Sequence, residues 1–297
     1  MSKQFCGSYV AIVTPMTTTG EIDYPALKNL LEWHIAEGGD GIVIAGTTGE
    51  SPTLGVREHQ EIIARTVEFV AGRVPVIAGV GANSTREAVE LTQQAQNDGA
   101  DAGLSVVPYY NKPTQEGLLR HFSAIAEQSD MPIILYDVPG RCITTLANET
   151  VGALAQIPTI VGIKDAVGDV ERVLQLRAVT ANKEDFVLLS GDDGTCCDYM
   201  LAGGDGVISV TANIAPKNMQ RMALAARQGD NINAHEINTL MEAFHKVQSI
   251  ESNPIPVKQA LVMMEKIAGG IRLPLTPLSA QYNTIVQEAF RLAQREQ

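Results

Sequence analysis

Lys164 closes an apolar run, Thr159-Ile-Val-Gly-Ile-Lys164-Asp165, that begins just after Pro158. β-Branched residues and one glycine over that length read as a buried strand. Most lysines are solvated surface residues. A lysine that ends an apolar strand lies near a desolvated region instead, where burial favours the neutral amine and lowers its pKa. A neutral amine near pH 7 attacks carbonyls and forms Schiff bases. Three other residue types could serve that chemistry. Tyr136 and Thr48 are hydroxyls able to pass the protons that imine formation and breakdown require. Arg141 offers a planar fork suited to a carboxylate. The loop Gly46-Thr47-Thr48-Gly49 offers backbone N–H groups to another. Each has an ordinary alternative: threonines of a glycine-rich loop are turn residues, a strand-end tyrosine is half-buried core, and an arginine is a solvated loop charge. The functional reading becomes the better one only if a single fold gathers them.

The elements that would do so follow one rhythm. Apolar runs at 8–13, 41–45, 74–79, 102–107, 132–136, 160–164, 186–190 and 206–210 read as strands. Stretches with helical spacing follow them, at 23–36, 57–70, 84–99, 115–129, 148–155, 169–179, 195–202 and from Pro216 onward. Asp23 is a predicted N-cap with Pro25 in the first turn, and Ser84 with Glu87 forms a predicted capping box. Strands apolar on both faces and alternating with helices predict a parallel sheet covered on both sides. The count of eight predicts a (β/α)8 TIM barrel; the alternative is an open doubly wound sheet. Against that alternative, Gly79-Val-Gly81 followed by Ser84 lacks the third glycine of a dinucleotide fingerprint, and no Walker loop occurs. The strands stop after Ala225. Segments 231–248, 256–267 and 279–297 are helical by spacing. The expected organisation is therefore a catalytic barrel over 1–226 and a helical appendage over 227–297.

In such a barrel the site lies at the C-terminal ends of the strands. Thr47 and Thr48 follow the second strand, Tyr109 and Tyr110 the fourth, Tyr136 and Arg141 the fifth, and Lys164 ends the sixth. The convergence that the individual residues could not establish is thus expected of the fold.

The 297 residues carry 45% hydrophobic side chains and a net charge of −12, so core material is ample and a nucleic-acid partner is disfavoured by phosphate repulsion. No apolar run is long enough to span a membrane, and the N-terminal stretch has no leader-like segment. Cys6, Cys142, Cys196 and Cys197 match no zinc spacing and are read as reduced thiols of a cytoplasmic protein. The five histidines show no HExxH-type spacing, so no catalytic metal is expected. No Gly-x-Ser-x-Gly elbow occurs.

Gly46-Thr-Thr-Gly-Glu-Ser51, Tyr136-Asp-Val-Pro-Gly-Arg141 and Gly162-Ile-Lys164-Asp165 resemble the signatures of the pyruvate-dependent class I aldolase (N-acetylneuraminate lyase) superfamily. Within it the chain is similar over nearly its whole length to the 4-hydroxy-tetrahydrodipicolinate (dihydrodipicolinate) synthase family of lysine and diaminopimelate biosynthesis. Ser190-Gly-Asp-Asp193, Gly206-Val-Ile-Ser-Val-Thr-Ala-Asn213, Asn253-Pro-Ile-Pro-Val-Lys258 and Arg272-Leu-Pro carry the rest of the likeness. The resemblance implies that Lys164 forms an imine with pyruvate, whose enamine attacks L-aspartate 4-semialdehyde, with no external cofactor. It implies a proton relay of Tyr136, Thr48 and Tyr110, the last reaching in from a neighbouring subunit. Thr47 and Thr48 would hold the pyruvate carboxylate, Arg141 the semialdehyde carboxylate, and Ile208 would present its backbone carbonyl near Lys164. The double threonine and Arg141 favour the synthases over sialic-acid or keto-sugar-acid lyases. The family also implies a homotetramer built from dimers and a feedback site for L-lysine, matched here by Ser51, His59, Asn83, Glu87 and Tyr109. Val56 and Pro52 depart from the feedback-sensitive pattern.

Overall fold

Eight parallel strands close a barrel in strict sequence order, β1 to β8, in a computed structural model that describes residues 4–295. Residues 1–3 of the N-terminal stretch and residues 296–297 of the predicted last helix lie outside the described residues. The strands are β1 (Gly7–Ala11), β2 (Gly41–Ile44), β3 (Val76–Gly79), β4 (Ala102–Val106), β5 (Ile133–Asp137), β6 (Ile160–Asp165), β7 (Val187–Ser190) and β8 (Gly206–Ser209). Closure comes from β1 pairing with β8 in parallel, Ser8 opposite Val207, so the doubly wound alternative does not apply. Barrel strands are buried on both faces, inward by the barrel filling and outward by helices. That is why they are legible as continuous apolar runs.

The helices are α1 (Tyr24–Ala36), α2 (Val56–Val70), α3 (Thr85–Asn97), α4 (Gln115–Glu127), α5 (Pro139–Cys142), α6 (Asn148–Leu154), α7 (Arg172–Val179), α8 (Cys196–Leu201), α9 (Pro216–Arg227), α10 (Asn231–Val247), α11 (Ile255–Met263) and α12 (Asn283–Ala293). Asp23 caps α1 by accepting from the Ala26 N–H at 2.9 Å, and Ser84 caps α3 by accepting from the Glu87 N–H. Four expectations shift. The last helix, expected from residue 279, starts at Asn283 behind a 3-10 turn over Ala280–Tyr282 and ends at Ala293. The helix predicted from residue 169 starts at Arg172, because the Asp169 side chain accepts from the Glu171 N–H and holds a turn ahead of it. Pro139-Gly-Arg141, expected as loop after the fifth strand, begins the one-turn helix α5, with Pro139 in its first turn. The helix predicted to reach residue 267 ends at Met263, where Glu265 adopts a left-handed φ of 58° that cannot continue it.

After α9 the described residues add no strand; α10, α11 and α12 are joined by irregular segments, the longest between α11 and α12. α10 packs on α9 and α12, with Phe244 and Met241 fully buried beneath it. The segment around α11 returns to the β2 loop. Buried Lys258 ion-pairs with buried Glu50, and the Arg272 backbone N–H donates to the other Glu50 oxygen at 3.2 Å. The Arg272 guanidinium also grips both oxygens of Glu58 on α2. Among the described residues, no helix is long and apolar enough to cross a membrane.

Candidate active site

Lys164 and Tyr136 stand opposite each other on neighbouring strands, in register across β5 and β6. Equal register turns both side chains to the same face of the sheet, and the Lys164 Nζ lies 4.3 Å from the centre of the Tyr136 ring. Both are almost wholly buried, at 6% and 8% exposure. The residues that follow them, Asp137 and Asp165, are also in register and point the other way. There the Arg172 Nη1 donates to Asp137 Oδ2 and to Asp165 Oδ1 at 2.9 Å each, so one guanidinium ties the two strand ends together behind the pair. Nothing in the local sequence marks Arg172 for that role.

Burial sets the chemistry of the pair. Desolvation lowers the Lys164 pKa to about 8; the negative charge of Asp193 opposes that fall and the Arg141 guanidinium assists it. A useful fraction of the amine is therefore neutral at physiological pH. The same burial pushes the Tyr136 phenol up to about 12, against the nearby Arg141 charge and a hydrogen bond with Thr47. Tyr136 thus stays protonated, able to donate to a developing oxyanion and to take the proton back. Cys142, beside Arg141, is raised to about 11 by its burial and by Asp137, so it remains a thiol and no competing nucleophile.

The β2 loop supplies the hydroxyls. Thr47 lies within hydrogen-bonding reach of Tyr136. Thr48 is buried, and its Oγ1 accepts from the Asn253 Nδ2 at 3.0 Å. An amide nitrogen only donates, so the Thr48 hydroxyl proton is left free for another acceptor. Asn253 stands just ahead of α11; it opened a stretch that carried the family likeness but was given no role at the site, and 205 residues separate it from Thr48. Glu50 holds a left-handed φ of 57° at the end of this loop, a conformation its pairing with Lys258 helps retain. Arg141 is exposed at the mouth, where its guanidinium reaches the Asn253 carbonyl at 3.5 Å. Ile208 is buried in β8, one strand beyond the neighbour of β6.

Tyr110 does not join this group within one chain. It sits after β4 at a left-handed φ of 75°, 88% exposed. Among the described residues, no hydrogen bond links it to Tyr136 or Thr48. Three of the residues expected to bind lysine lie within electrostatic reach of one another. The Glu87 charge reaches both His59 and Tyr109, while Asn83 accepts from the Asn111 side chain through its carbonyl at 2.8 Å. Ser51 begins a single 3-10 turn at the end of the β2 loop, followed by exposed Pro52 and, at the start of α2, Val56, itself 67% exposed. Among the described residues no cluster of His, Cys, Asp or Glu could hold a metal ion. Burial pushes His34 down to about 3 and His121 to about 4, so both are neutral. Among the described residues, Cys6, Cys142, Cys196 and Cys197 form no disulfide.

The profile of the dihydrodipicolinate synthetase family matches residues 4–293. The 4-hydroxy-tetrahydrodipicolinate synthase of Ralstonia nicotianae is 54% identical over 288 residues, 97% of each chain. Among solved structures, the chloride-inhibited dihydrodipicolinate synthase from Acinetobacter baumannii, complexed with pyruvate, superposes with a TM-score of 0.95 at 51% identity, covering 98% of this chain and 99% of that one. The dihydrodipicolinate synthase from Cyanidioschyzon merolae with lysine bound superposes with a TM-score of 0.93 at 38% identity, covering 97% and 98%.

Proposed function

The chain belongs to the dihydrodipicolinate synthetase family, and from that premise we propose how its own residues condense pyruvate with L-aspartate 4-semialdehyde to 4-hydroxy-tetrahydrodipicolinate. One observation carries the reading: a buried amine at a strand end, its pKa brought down to about 8, faces a phenol kept protonated. The neutral Lys164 nitrogen attacks the pyruvate ketone carbon. Tyr136 protonates the forming alkoxide, and loss of water leaves a cationic imine. Thr48 and Tyr136 carry the protons of that dehydration, with the partner copy's tyrosine at position 110 completing the relay. Loss of a methyl proton gives an enamine, whose carbon attacks the aldehyde of the second substrate. The substrate amine then adds to the imine carbon, and Lys164 leaves as the ring closes. Thr47 and Thr48 hold the keto-acid carboxylate at the β2 loop. Arg141, exposed at the mouth, pairs with the carboxylate of the semialdehyde, and the Ile208 carbonyl borders the lysine. The imine itself is the electron sink, so the sequence balances in electrons and protons without an external carrier.

Pyruvate with borohydride should leave a reduced pyruvyl adduct on the Lys164 peptide. An unmodified Lys164 peptide beside an adduct elsewhere would reject the assignment. Turnover with aspartate semialdehyde, set against sialic acid and keto-sugar acids, separates the synthase from the other pyruvate lyases.

L-Lysine, bound in the Cyanidioschyzon relative, is proposed as a feedback ligand at Ser51, His59, Asn83, Glu87 and Tyr109. Glu87 would take its ammonium and Asn83 its carboxylate. The working assembly is a homotetramer made of dimers in which Tyr110 crosses to the partner. Buried free thiols suit the reducing cytoplasm, and cell fractionation should recover the enzyme there.

A further inference from the structure

Asp193 lies in the loop between β7 and α8 and has no place in the relay described above. Its Oδ2 accepts three hydrogen bonds, from the Val210 and Thr211 backbone N–H groups at 2.9 Å each and from the Gln248 side chain at 3.1 Å. The carboxylate is thereby fixed between the end of β8 and α10. Its other oxygen, Oδ1, is buried and takes no hydrogen bond among the described residues. A buried, half-satisfied carboxylate is costly unless a cation balances it. The same loop runs along the lysine. Gly191, two residues earlier, is so close to the Lys164 stem that a Cβ there would come within 2.8 Å of Cε and 3.0 Å of Cγ. Of all ionisable groups, Asp193 acts most strongly on the Lys164 amine by its charge.

The Lys164 nitrogen needs a counter-charge most when the chemistry requires it to keep its proton. The free amine attacks in its neutral form. The imine draws electrons from the neighbouring carbon only while its nitrogen is protonated, from the loss of water until the methyl proton leaves, and again after the new carbon–carbon bond forms. Resting on the Schiff-base reading above, we propose that Asp193 is the fixed counter-charge of the cationic imine that Lys164 forms with its keto acid. It is a positioning residue acting through Lys164, and it exchanges no proton with the substrate.

The other titratable and charged groups around this nitrogen and Asp193 are few. Tyr136 faces it from β5 and Arg141 from α5; Asp192 lies in the same loop, Cys196 on α8 and His245 on α10. Burial raises the Cys196 thiol and lowers His245, so both are neutral near pH 8. Titration there reports the lysine.

The test compares wild type with Asp193→Asn, which keeps an oxygen for the three donors and removes the charge. Two quantities are measured: the pH dependence of the single-turnover rate of pyruvate imine formation, and kcat. Without the carboxylate the free amine loses its proton more easily, so the acid limb should move to lower pH by about one pH unit. The cationic intermediate loses its partner at the same time, so kcat should fall by at least about tenfold. Asp193→Glu should return the limb toward its wild-type position. If Asp193→Asn does not fold, Asp193→Ser removes the charge and still offers an acceptor. A limb that stays at the wild-type pH in the uncharged variants overturns the proposal, whatever happens to kcat, because a packing role alone would lower the rate without moving the limb. Failure of wild type itself to trap pyruvate on Lys164 would instead overturn the Schiff-base reading.

Discussion

Lys164 costs the fold stability in order to be reactive. Its pKa falls from 10.5 to about 8 because burial disfavours the ammonium. Below pH 8 the native state must hold that buried charge, while the unfolded chain holds the same proton in water. The unfolded state therefore binds more protons between pH 8 and 10.5, and stability rises with pH across that window. Lys164→Met should abolish imine formation and stabilise the enzyme by about 2–3 kcal/mol at pH 7. The gain should shrink as the pH passes 8 and vanish above 10.5. Urea denaturation at pH 7 and pH 10 reads both ends, and an equal gain at the two would mean that packing, not charge, separates the variants. At this scale the sequence was partly legible. Lys164 stood out because a charged residue interrupts an otherwise apolar strand. Asp193 did not, because an aspartate in Gly191-Asp-Asp-Gly194 is what any turn would use. Its value lies in an oxygen left without a donor, which only three-dimensional neighbours reveal.

Strands and helices were readable for the reason that makes the barrel stable: buried parallel strands have no polar face to hide. Junctions between distant elements were not readable. Asn253 meets Thr48 across 205 residues, and Lys258 meets Glu50 across 208. No periodicity encodes such a pairing. These contacts make the segment around α11 part of the candidate site's frame, since breaking the buried Glu50–Lys258 pair would strand a charge beneath the β2 loop. The proposed lysine site is also a product of junctions. Glu87 comes from the start of α3, His59 from α2, and Tyr109 from the loop after β4. A lysine ammonium there would find the Glu87 carboxylate, a charged hydrogen-bond partner. Glu87→Gln should raise the lysine concentration for half-inhibition by at least about tenfold. Val56 stands exposed at the first turn of α2, where an imidazole could add a contact that valine cannot make. Val56→His should therefore lower that concentration. Inhibition by lysine unchanged in Glu87→Gln would remove the site from consideration.

At the scale of the whole molecule, the role proposed for Tyr110 fixes how many copies make one enzyme. An aromatic ring 88% exposed, on backbone held at a left-handed φ of 75°, is poorly explained within a single chain. A neighbouring copy explains it if the phenol enters that copy's site. In a two-fold dimer each copy then lends one tyrosine and receives one. Two broken enzymes should consequently repair each other. Lys164→Ala lacks the nucleophile but still offers a tyrosine; Tyr110→Phe keeps the nucleophile but offers none. Refolded together in equal amounts, half the dimers are mixed, and each mixed dimer holds one site with both defects and one with neither. About a quarter of the wild-type rate should return. Activity equal to the mean of the two separate variants would confine the relay to one chain. Sedimentation of the mixture must show at least dimers for the measurement to bear on the question. Dilution below the dimer's dissociation constant should abolish the recovered rate while leaving the eight-stranded barrel folded by circular dichroism.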